Sequence, residues 1–125
     1  MAIKESTIEN YLIEQCNLNN ILITKFIPSA NNGMPDRLLC KNGHTIFVEL
    51  KKPNEQPRPL QWHILNDLND YVTAIYINTK DHVDKLITVI NNNQNLTYKE
   101  FQKQVLLTFN DLLKDKIKLL EILND

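Results

Sequence analysis

PDRLLCKNGHTIFVELK, residues 35–51, is the stretch of this 125-residue chain that decides the fold. Its centre, Asn42-Gly43, is typical of a two-residue hairpin turn, and apolar, β-prone residues flank it on both sides. We therefore predict a strand over residues 36–40 and a returning strand over residues 44–51. Pairing across this turn brings Asp36, at the outer end of the first strand, close to Glu49 and Lys51 at the end of the second.

Glu49 and Lys51 are predicted to share one face of their strand, because side chains alternate between the two faces. Two carboxylates and one ammonium at one place can cleave phosphodiesters: the carboxylates hold Mg²⁺ and the lysine orients or activates a water. A Glu-x-Lys pair on a half-exposed strand is also a common, weak surface ion pair. The apolar run before Glu49 favours the first interpretation, since a buried carboxylate is costly without a partner such as a cation.

The other segments predict an α/β fold in which a mixed sheet is flanked by helices. We expect helices over residues 7–18, 59–71 and 81–92, and further strands over residues 21–27 and 72–78. The apolar residues expected to face inward on the second helix are Leu60, Ile64, Leu65 and Leu68.

Polar residues near the helix starts bear on the site. Ser6 followed by Glu9 is a capping-box pattern, in which Glu9 accepts only a backbone N–H; the alternative is a catalytic role for Glu9. Pro59 suits a first helical turn and places Gln61 there too, facing the end of the Glu49 strand. Asp81 is predicted to cap its helix.

Residues 96–125 are predicted to form an additional C-terminal helical segment. Thr97 and Glu100 match a capping box. A broad apolar stripe follows, and it comprises Val105, Leu106, Phe109, Leu112, Leu113, Ile117, Leu120 and Leu123. This stripe either packs on the protein's own core or provides a surface for a second copy or another partner. Because it is broad, we predict a homodimer with this helix as one contributor.

Composition limits the other possibilities. The net charge of −1 predicts modest, salt-sensitive affinity for nucleic acid rather than strong non-specific binding. The start of the chain has no apolar signal core, and no apolar run approaches the length of a membrane span. Two cysteines, Cys16 and Cys40, suit a reducing compartment and core positions. We therefore expect no membrane association and a cytoplasmic protein of a bacterium or a phage-infected host.

Three blocks of the chain resemble a known family. GMPDRL at residues 33–38, FVELKKP at residues 47–53, and Gln61 occur in the order and spacing of the VRR-NUC domain, a branch of the PD-(D/E)XK nuclease superfamily with standalone, phage-type members. The resemblance covers roughly residues 3–92. It implies a restriction-endonuclease-like core over residues 1–95, with residues 96–125 as an extension packed on the same domain.

The resemblance also implies the activity and the site. It indicates a Mg²⁺-dependent deoxyribonuclease in which Mn²⁺ can substitute. The catalytic residues would be Glu9, Asp36, Glu49, Lys51 and Gln61. The metal ligands would be Asp36, Glu49, the backbone carbonyl of Leu50, and Glu9 directly or through water. Lys25, which matches a lysine of the family's first strand, together with Arg37, Lys52 and Arg58, is expected to contact DNA.

Two other functions remain compatible with the sequence. One is a nucleic-acid-binding module that kept the fold and lost the chemistry; the intact Asp36 and Lys51 argue against it. The other is a protein-interaction module that works through the C-terminal helix. If the chain is a nuclease, standalone members of the family resemble junction-resolving enzymes that act as dimers, so a four-way junction or other branched DNA is a candidate substrate.

Overall fold

A computed structural model of the protein describes residues 2–26 and 33–113. Its helices and strands, in chain order, are α1 (Glu5–Leu18), β1 (Leu22–Lys25), β2 (Arg37–Lys41), β3 (His44–Leu50), α2 (Pro59–Leu68), β4 (Thr73–Ile77), α3 (Lys80–Asn92), α4 (Tyr98–Thr108) and α5 (Asn110–Leu113). None of the helices in these ranges has the length and apolar composition needed to cross a bilayer.

The four strands form one mixed sheet in the order β1-β2-β3-β4, which confirms the predicted fold class. β1, β2 and β3 are antiparallel to one another in turn, and β4 runs parallel to β3. Asn42 and Gly43 both have positive φ, 49° and 85°, as a tight primed hairpin turn requires. The turn sets a register in which Arg37 lies opposite Val48, so the preceding Asp36 lies beside Glu49.

Helices cover the two faces of the sheet unequally. On the face of Leu39 and Val48, α1, α3 and α4 pack over an apolar core. On the opposite face, where Glu49 and Tyr76 project, α2 packs on β4, and Trp62 meets the Tyr76 ring edge-on. All five residues of β4 are buried, which is typical of a strand that pairs in parallel under helices on both faces. We call the end of the sheet where β3 and β4 finish the site end.

α4 and α5 belong to the same hydrophobic core as the sheet. The apolar residues that they bury are Phe101, Val105, Leu106, Phe109 and Leu113. Thr97 caps α4 as predicted, since its Oγ1 accepts the N–H of Glu100 at 3.2 Å. The described part of the C-terminal stripe therefore packs on the protein's own core. Ile117, Leu120 and Leu123, on which the dimer prediction also drew, lie outside the described residues.

The start of α1 differs from the prediction. The helix begins at Glu5 rather than Thr7, with Lys4 as the N-cap residue, and the N–H of Thr7 donates to the Lys4 carbonyl at 3.1 Å. Ser6 is thus already inside the helix, and the predicted capping box of Ser6 and Glu9 is wrong. The earlier start adds Glu5 to the first turn, at the same helical face as Glu9.

Two further details of the helices were predicted wrongly. Thr79, not Asp81, caps α3. Its Oγ1 accepts the N–H of His82 at 3.1 Å, and the helix starts at the next residue, Lys80. Leu60 does not face inward: it is 51% exposed, and the neighbouring Gln61 takes the buried position. Gln61 is preferred there because its amide forms hydrogen bonds that leucine cannot form.

A buried amide pair joins α2, β4 and α4. Asn69 donates to the carbonyls of Leu65 and Ala74, both at 2.8 Å, and accepts the Ala74 N–H at 3.0 Å. Gln102 of α4 donates to the carbonyls of Asn69 and Val72, at 2.7 and 2.8 Å. These bonds end α2 at Leu68, three residues earlier than predicted, and satisfy backbone groups that would otherwise be buried without partners.

The buried amide pair of Asn69 and Gln102 allows a test of how much the attachment of α4 contributes to stability. Replacing Gln102 by Ala leaves one buried and one partly buried carbonyl without this donor, so we expect the free energy of unfolding to fall by about 2–3 kcal/mol. Urea denaturation measures this. Gln104→Ala, on the exposed side of the same helix, is the control and should change the value by less than about 0.5 kcal/mol. Equal effects would show that the buried amide contributes nothing specific.

Candidate active site

Asp36 and Glu49 meet at the site end through backbone constraints. The N–H of Leu50 donates to Asp36 Oδ2 at 3.0 Å, and the carbonyl of Asp36 accepts the N–H of Phe26 at 3.0 Å. Glu49 is only 3% exposed. Its Oε2 atom has no hydrogen-bond donor within residues 2–26 and 33–113. A buried carboxylate oxygen without a donor beside a second carboxylate is a position that favours a cation or a shared proton.

Gln61 and Lys51 contact the other oxygen of Glu49. Gln61 Nε2 donates to Glu49 Oε1 at 3.2 Å, while Gln61 Oε1 accepts the N–H of Arg58 at 2.9 Å. Lys51 Nζ lies 3.9 Å from Glu49 Oε1, and the residue is 8% exposed. The structure therefore brings together four of the five predicted catalytic residues, Asp36, Glu49, Lys51 and Gln61.

In the pair of Asp36 and Glu49, the carboxyl group with the shifted pKa is that of Glu49. Burial, the charge of Asp36 and a hydrogen bond to Asp36 raise the pKa of Glu49 to about 9, against the opposing effect of Lys51. At neutral pH and without a bound cation, Glu49 is therefore protonated and can donate from its carboxyl group to Asp36. A divalent cation would take the place of that proton, because ligand carboxylates bind metal in the ionised form.

Glu9, the fifth predicted catalytic residue, has a different contact. Its Oε2 accepts from Arg37 Nε at 2.9 Å in a half-buried ion pair. Arg37 extends from the sheet face opposite Glu49, so this pair ties α1 to β2. The structure thus places Glu9 with Arg37 rather than with the Asp36 and Glu49 carboxyl groups.

Glu5, one helical turn before Glu9, is the acidic residue that the sequence reasoning missed. The residue is exposed overall, but partial burial of its carboxyl group and the charges of Asp36, Glu55 and Glu9 raise its pKa, with Lys51 acting in the opposite direction. Glu5 in turn raises the pKa of Glu49. The four-residue spacing from Glu9 would have indicated it, had the helix been predicted to start early enough.

The oxygen ligands available at the site suit a magnesium ion that retains bound water. No three His, Cys, Asp or Glu side chains in the described ranges gather closely enough to hold a metal by themselves. Asp36 and Glu49 nevertheless provide two carboxylates, and the carbonyl of Leu50 is the third predicted ligand. Mg²⁺ typically binds through one or two carboxylates and fills its other positions with water and substrate phosphate. The residues present therefore fit this ion.

The predicted DNA contacts fall into two groups. Lys52 and Arg58 are exposed in the connection between β3 and α2, which borders the site, and Lys25 is exposed at the end of β1. Arg37, directly opposite Lys25 in the sheet, is paired with Glu9 and only 15% of its side chain is exposed. The exposed positions of the first three side chains suit contact with a phosphate backbone, whereas Arg37 is mostly buried in its ion pair with Glu9.

The raised pKa of Glu49 predicts how stability depends on pH. Between its ordinary pKa of 4.5 and the folded value of about 9, the folded chain holds a proton that the unfolded chain releases. The free energy of unfolding therefore falls as pH rises through this interval. Glu49→Gln keeps the shape and the donor to Asp36 but cannot ionise. In EDTA at pH 8 we expect this variant to be more stable than the parent by on the order of 1–3 kcal/mol.

Denaturation at about pH 4.5 and pH 8 checks this prediction, because the advantage should shrink at the lower pH. Glu14→Gln, at an exposed position of α1, is the matched control and should leave the pH dependence unchanged. An identical pH dependence in Glu49→Gln and the parent would mean that Glu49 is not held protonated by the fold.

Comparison with known proteins finds a similar solved structure and a similar phage sequence. A solved structure described as "VRR_NUC domain" superposes with a TM-score of 0.63 at 28% identity, over 70% of this chain and 97% of that one. A curated protein named "Putative nuclease p44", from Acyrthosiphon pisum secondary endosymbiont phage 1, is 40% identical over 60 residues. That match covers 47% of this chain and 64% of the relative, so the chain matches less than two thirds of that protein.

No family model matches the chain, and the assignment therefore depends on the structural match and the phage relative. Both agree with the resemblance found in residues 33–61. The mixed four-stranded sheet with flanking helices is the restriction-endonuclease-like arrangement. In fold and in motif, the chain is similar to a VRR-NUC domain.

Proposed function

We propose that the protein is a metal-dependent endonuclease that hydrolyses phosphodiester bonds in DNA. The observation that carries the proposal is the buried carboxyl group of Glu49, which has one oxygen without a donor among the described residues and lies beside Asp36 and Lys51. The similarity to the VRR-NUC structure and the name of the phage relative support a nuclease. DNA as the substrate, and Mg²⁺ as the cofactor with Mn²⁺ as its substitute, are part of the proposal.

Asp36 and Glu49 would hold the ion, with the carbonyl of Leu50 as a further ligand. When bound, Mg²⁺ would supply charge stabilisation at the phosphate and a more acidic water. The Leu50 N–H fixes one oxygen of Asp36, and Gln61 fixes one oxygen of Glu49, so both carboxylates are oriented in advance. Such preorganisation avoids rearrangement during the reaction.

Lys51 would act on the phosphate and the attacking water. Its ammonium lies 3.9 Å from Glu49 Oε1, and its backbone N–H donates to the Ile77 carbonyl at 3.0 Å, which extends the pairing of β3 with β4. The side chain is therefore held at the site end by a short, paired strand. From there its charge can stabilise the negative charge that develops on the scissile phosphate.

Substrate and assembly complete the proposal. Lys25, Lys52 and Arg58 would contact the DNA backbone, and the net charge of −1 makes this contact weak and salt-sensitive. One chain carries one site and cuts one strand. A branched substrate with two symmetric strands requires two sites related by a twofold axis, and we therefore propose a homodimer.

Cleavage assays test the function. Purified protein should nick or linearise plasmid DNA in Mg²⁺ or Mn²⁺ and not in EDTA. Asp36→Ala and Lys51→Arg should each reduce the rate by about 10²-fold or more, because each removes a group that stabilises the transition state, and arginine does not reproduce the shape of lysine. Asp67→Ala, at an exposed position of α2, is the control and should cut at the parental rate.

The same assay distinguishes the alternatives. Cutting by Asp36→Ala at the parental rate would contradict the assignment of the site. A parent that binds DNA without cutting it in either metal would instead support the silent binding module. A parent that does neither would leave the protein-interaction module.

A measurement of metal binding can separate the roles of Glu5 and Glu9 in α1. Because Glu9 is paired with Arg37, we expect it to influence the ion only through water, while Glu5 acts more directly. In isothermal titration with Mn²⁺, Glu5→Gln should weaken binding about tenfold, and Glu9→Gln should weaken it less. Circular dichroism checks that both variants are folded. A larger loss in Glu9→Gln would show that the residue assigned by the family resemblance is the true ligand.

A further inference from the structure

Asn78 is a buried polar residue at the site end, outside the set of proposed catalytic residues. It is 8% exposed and directly follows Ile77, the last residue of β4. Ile77 pairs with Leu50 in the sheet, and its carbonyl accepts the N–H of Lys51 at 3.0 Å. Asn78 is therefore next to the strand pair that carries the proposed site, and a buried amide at such a position requires hydrogen-bond partners.

The backbone and the side chain of Asn78 have different partners. The backbone N–H donates to His82 Nδ1 at 3.2 Å, which joins the end of β4 to the first turn of α3. Burial lowers the pKa of His82, so the ring is neutral at neutral pH and Nδ1 can accept this bond. The side-chain Nδ2 of Asn78 donates instead to the Glu55 carbonyl at 3.1 Å. The first contact completes the fold, and the second reaches the connection between β3 and α2.

The connection between β3 and α2 carries the bonds that orient Glu49. In its middle, the Glu55 N–H donates to the Lys52 carbonyl at 3.0 Å and closes a tight turn. Further along, the N–H of Arg58 donates to Gln61 Oε1 at 2.9 Å. Gln61 Nε2 then donates to Glu49 Oε1 at 3.2 Å. The bond to the Glu55 carbonyl therefore anchors the backbone three residues before the N–H that orients Gln61.

We propose that Asn78 is a positioning residue for phosphodiester cleavage. It holds the Glu55 carbonyl and thereby fixes the backbone N–H of Arg58. That N–H orients Gln61, whose amide in turn fixes one oxygen of Glu49. The inference rests on the proposed function and adds a residue to its machinery.

The two kinds of contact made by this connection differ in how they respond to a backbone shift. A hydrogen bond from a backbone N–H has a fixed origin, and a misplacement of about 1 Å at a catalytic group lowers rates strongly. The proposed phosphate contacts of Lys52 and Arg58 are less sensitive, because long, flexible side chains can reach a phosphate from a displaced backbone. Loss of the side-chain bond of Asn78 should therefore lower kcat more than it raises KM.

Asn78→Asp separates the two contacts of this residue. It keeps the size of the side chain and the backbone N–H, but it places a carboxylate oxygen opposite the Glu55 carbonyl in place of the donor. In cleavage assays with Mg²⁺ we expect kcat to fall about tenfold, while KM changes by less than about threefold. Hydrogen exchange followed by NMR should show about tenfold faster exchange of the Arg58 amide. Circular dichroism checks that the variant is folded.

Two controls separate positioning from a general loss of stability. His82→Phe removes the acceptor of the Asn78 backbone N–H, so it should lower the stability to urea and yet keep kcat within about twofold of the parent. Asn95→Asp makes the same chemical change at an exposed position between α3 and α4, and should leave kcat and amide exchange unchanged. If Asn78→Asp does not fold, Asn78→Ala removes the donor without adding a charge and should show the same fall in kcat.

The outcomes distinguish this role from the proposed function. An active parent whose Asn78 variants keep either kcat or the exchange rate of the Arg58 amide would overturn the positioning role and leave the nuclease intact. Equal losses of kcat in Asn78→Asp and His82→Phe would also overturn it, because the effect would then follow stability alone. A parent that cuts DNA in neither Mg²⁺ nor Mn²⁺ would overturn the proposed function, and the role of Asn78 with it.

Discussion

The carboxyl group of Glu49 is buried beside that of Asp36, and the other features of the site follow from this contact. Two carboxylates this close cannot both ionise in a buried position without a compensating charge. Lys51 compensates in part, but the pKa of Glu49 remains raised to about 9. The fold therefore holds a proton at a position where a divalent cation would neutralise the charge of the two carboxylates more effectively. Such a contact is unfavourable for stability, and the proposed metal site would be a physical reason to retain it.

The contact is tolerated because the same hydrogen bonds build the fold and orient the site. Gln61 joins the start of α2, through the N–H of Arg58, to the carboxyl group of Glu49. This double role explains why an amide, rather than Leu60, takes the buried position in the first turn of α2. The buried Gln102 pair secures α2 and β4 at the opposite end of the sheet, so α2 is fixed at both ends.

The sequence was sufficient to predict the hairpin, because Asn42-Gly43 accepts the left-handed backbone of a tight turn and that turn sets the register. Proximity of Asp36 and Glu49 then follows from counting along the two strands. The start of α1 could not be predicted in this way. A cap at Lys4 or at Ser6 is compatible with the local sequence, and packing of the helix on the sheet decides between them. For that reason the roles of Glu5 and Glu9 could not be separated from the sequence alone.

The most direct test of the central claim is to locate the ion. Anomalous diffraction from crystals soaked in Mn²⁺ would place it without reference to activity. We predict a peak within about 2.0–2.5 Å of a carboxylate oxygen of Asp36 and of Glu49 Oε2, the atom that has no donor in the described residues. A peak at another position, or no peak in crystals of a protein that cuts DNA in Mn²⁺, would contradict the account.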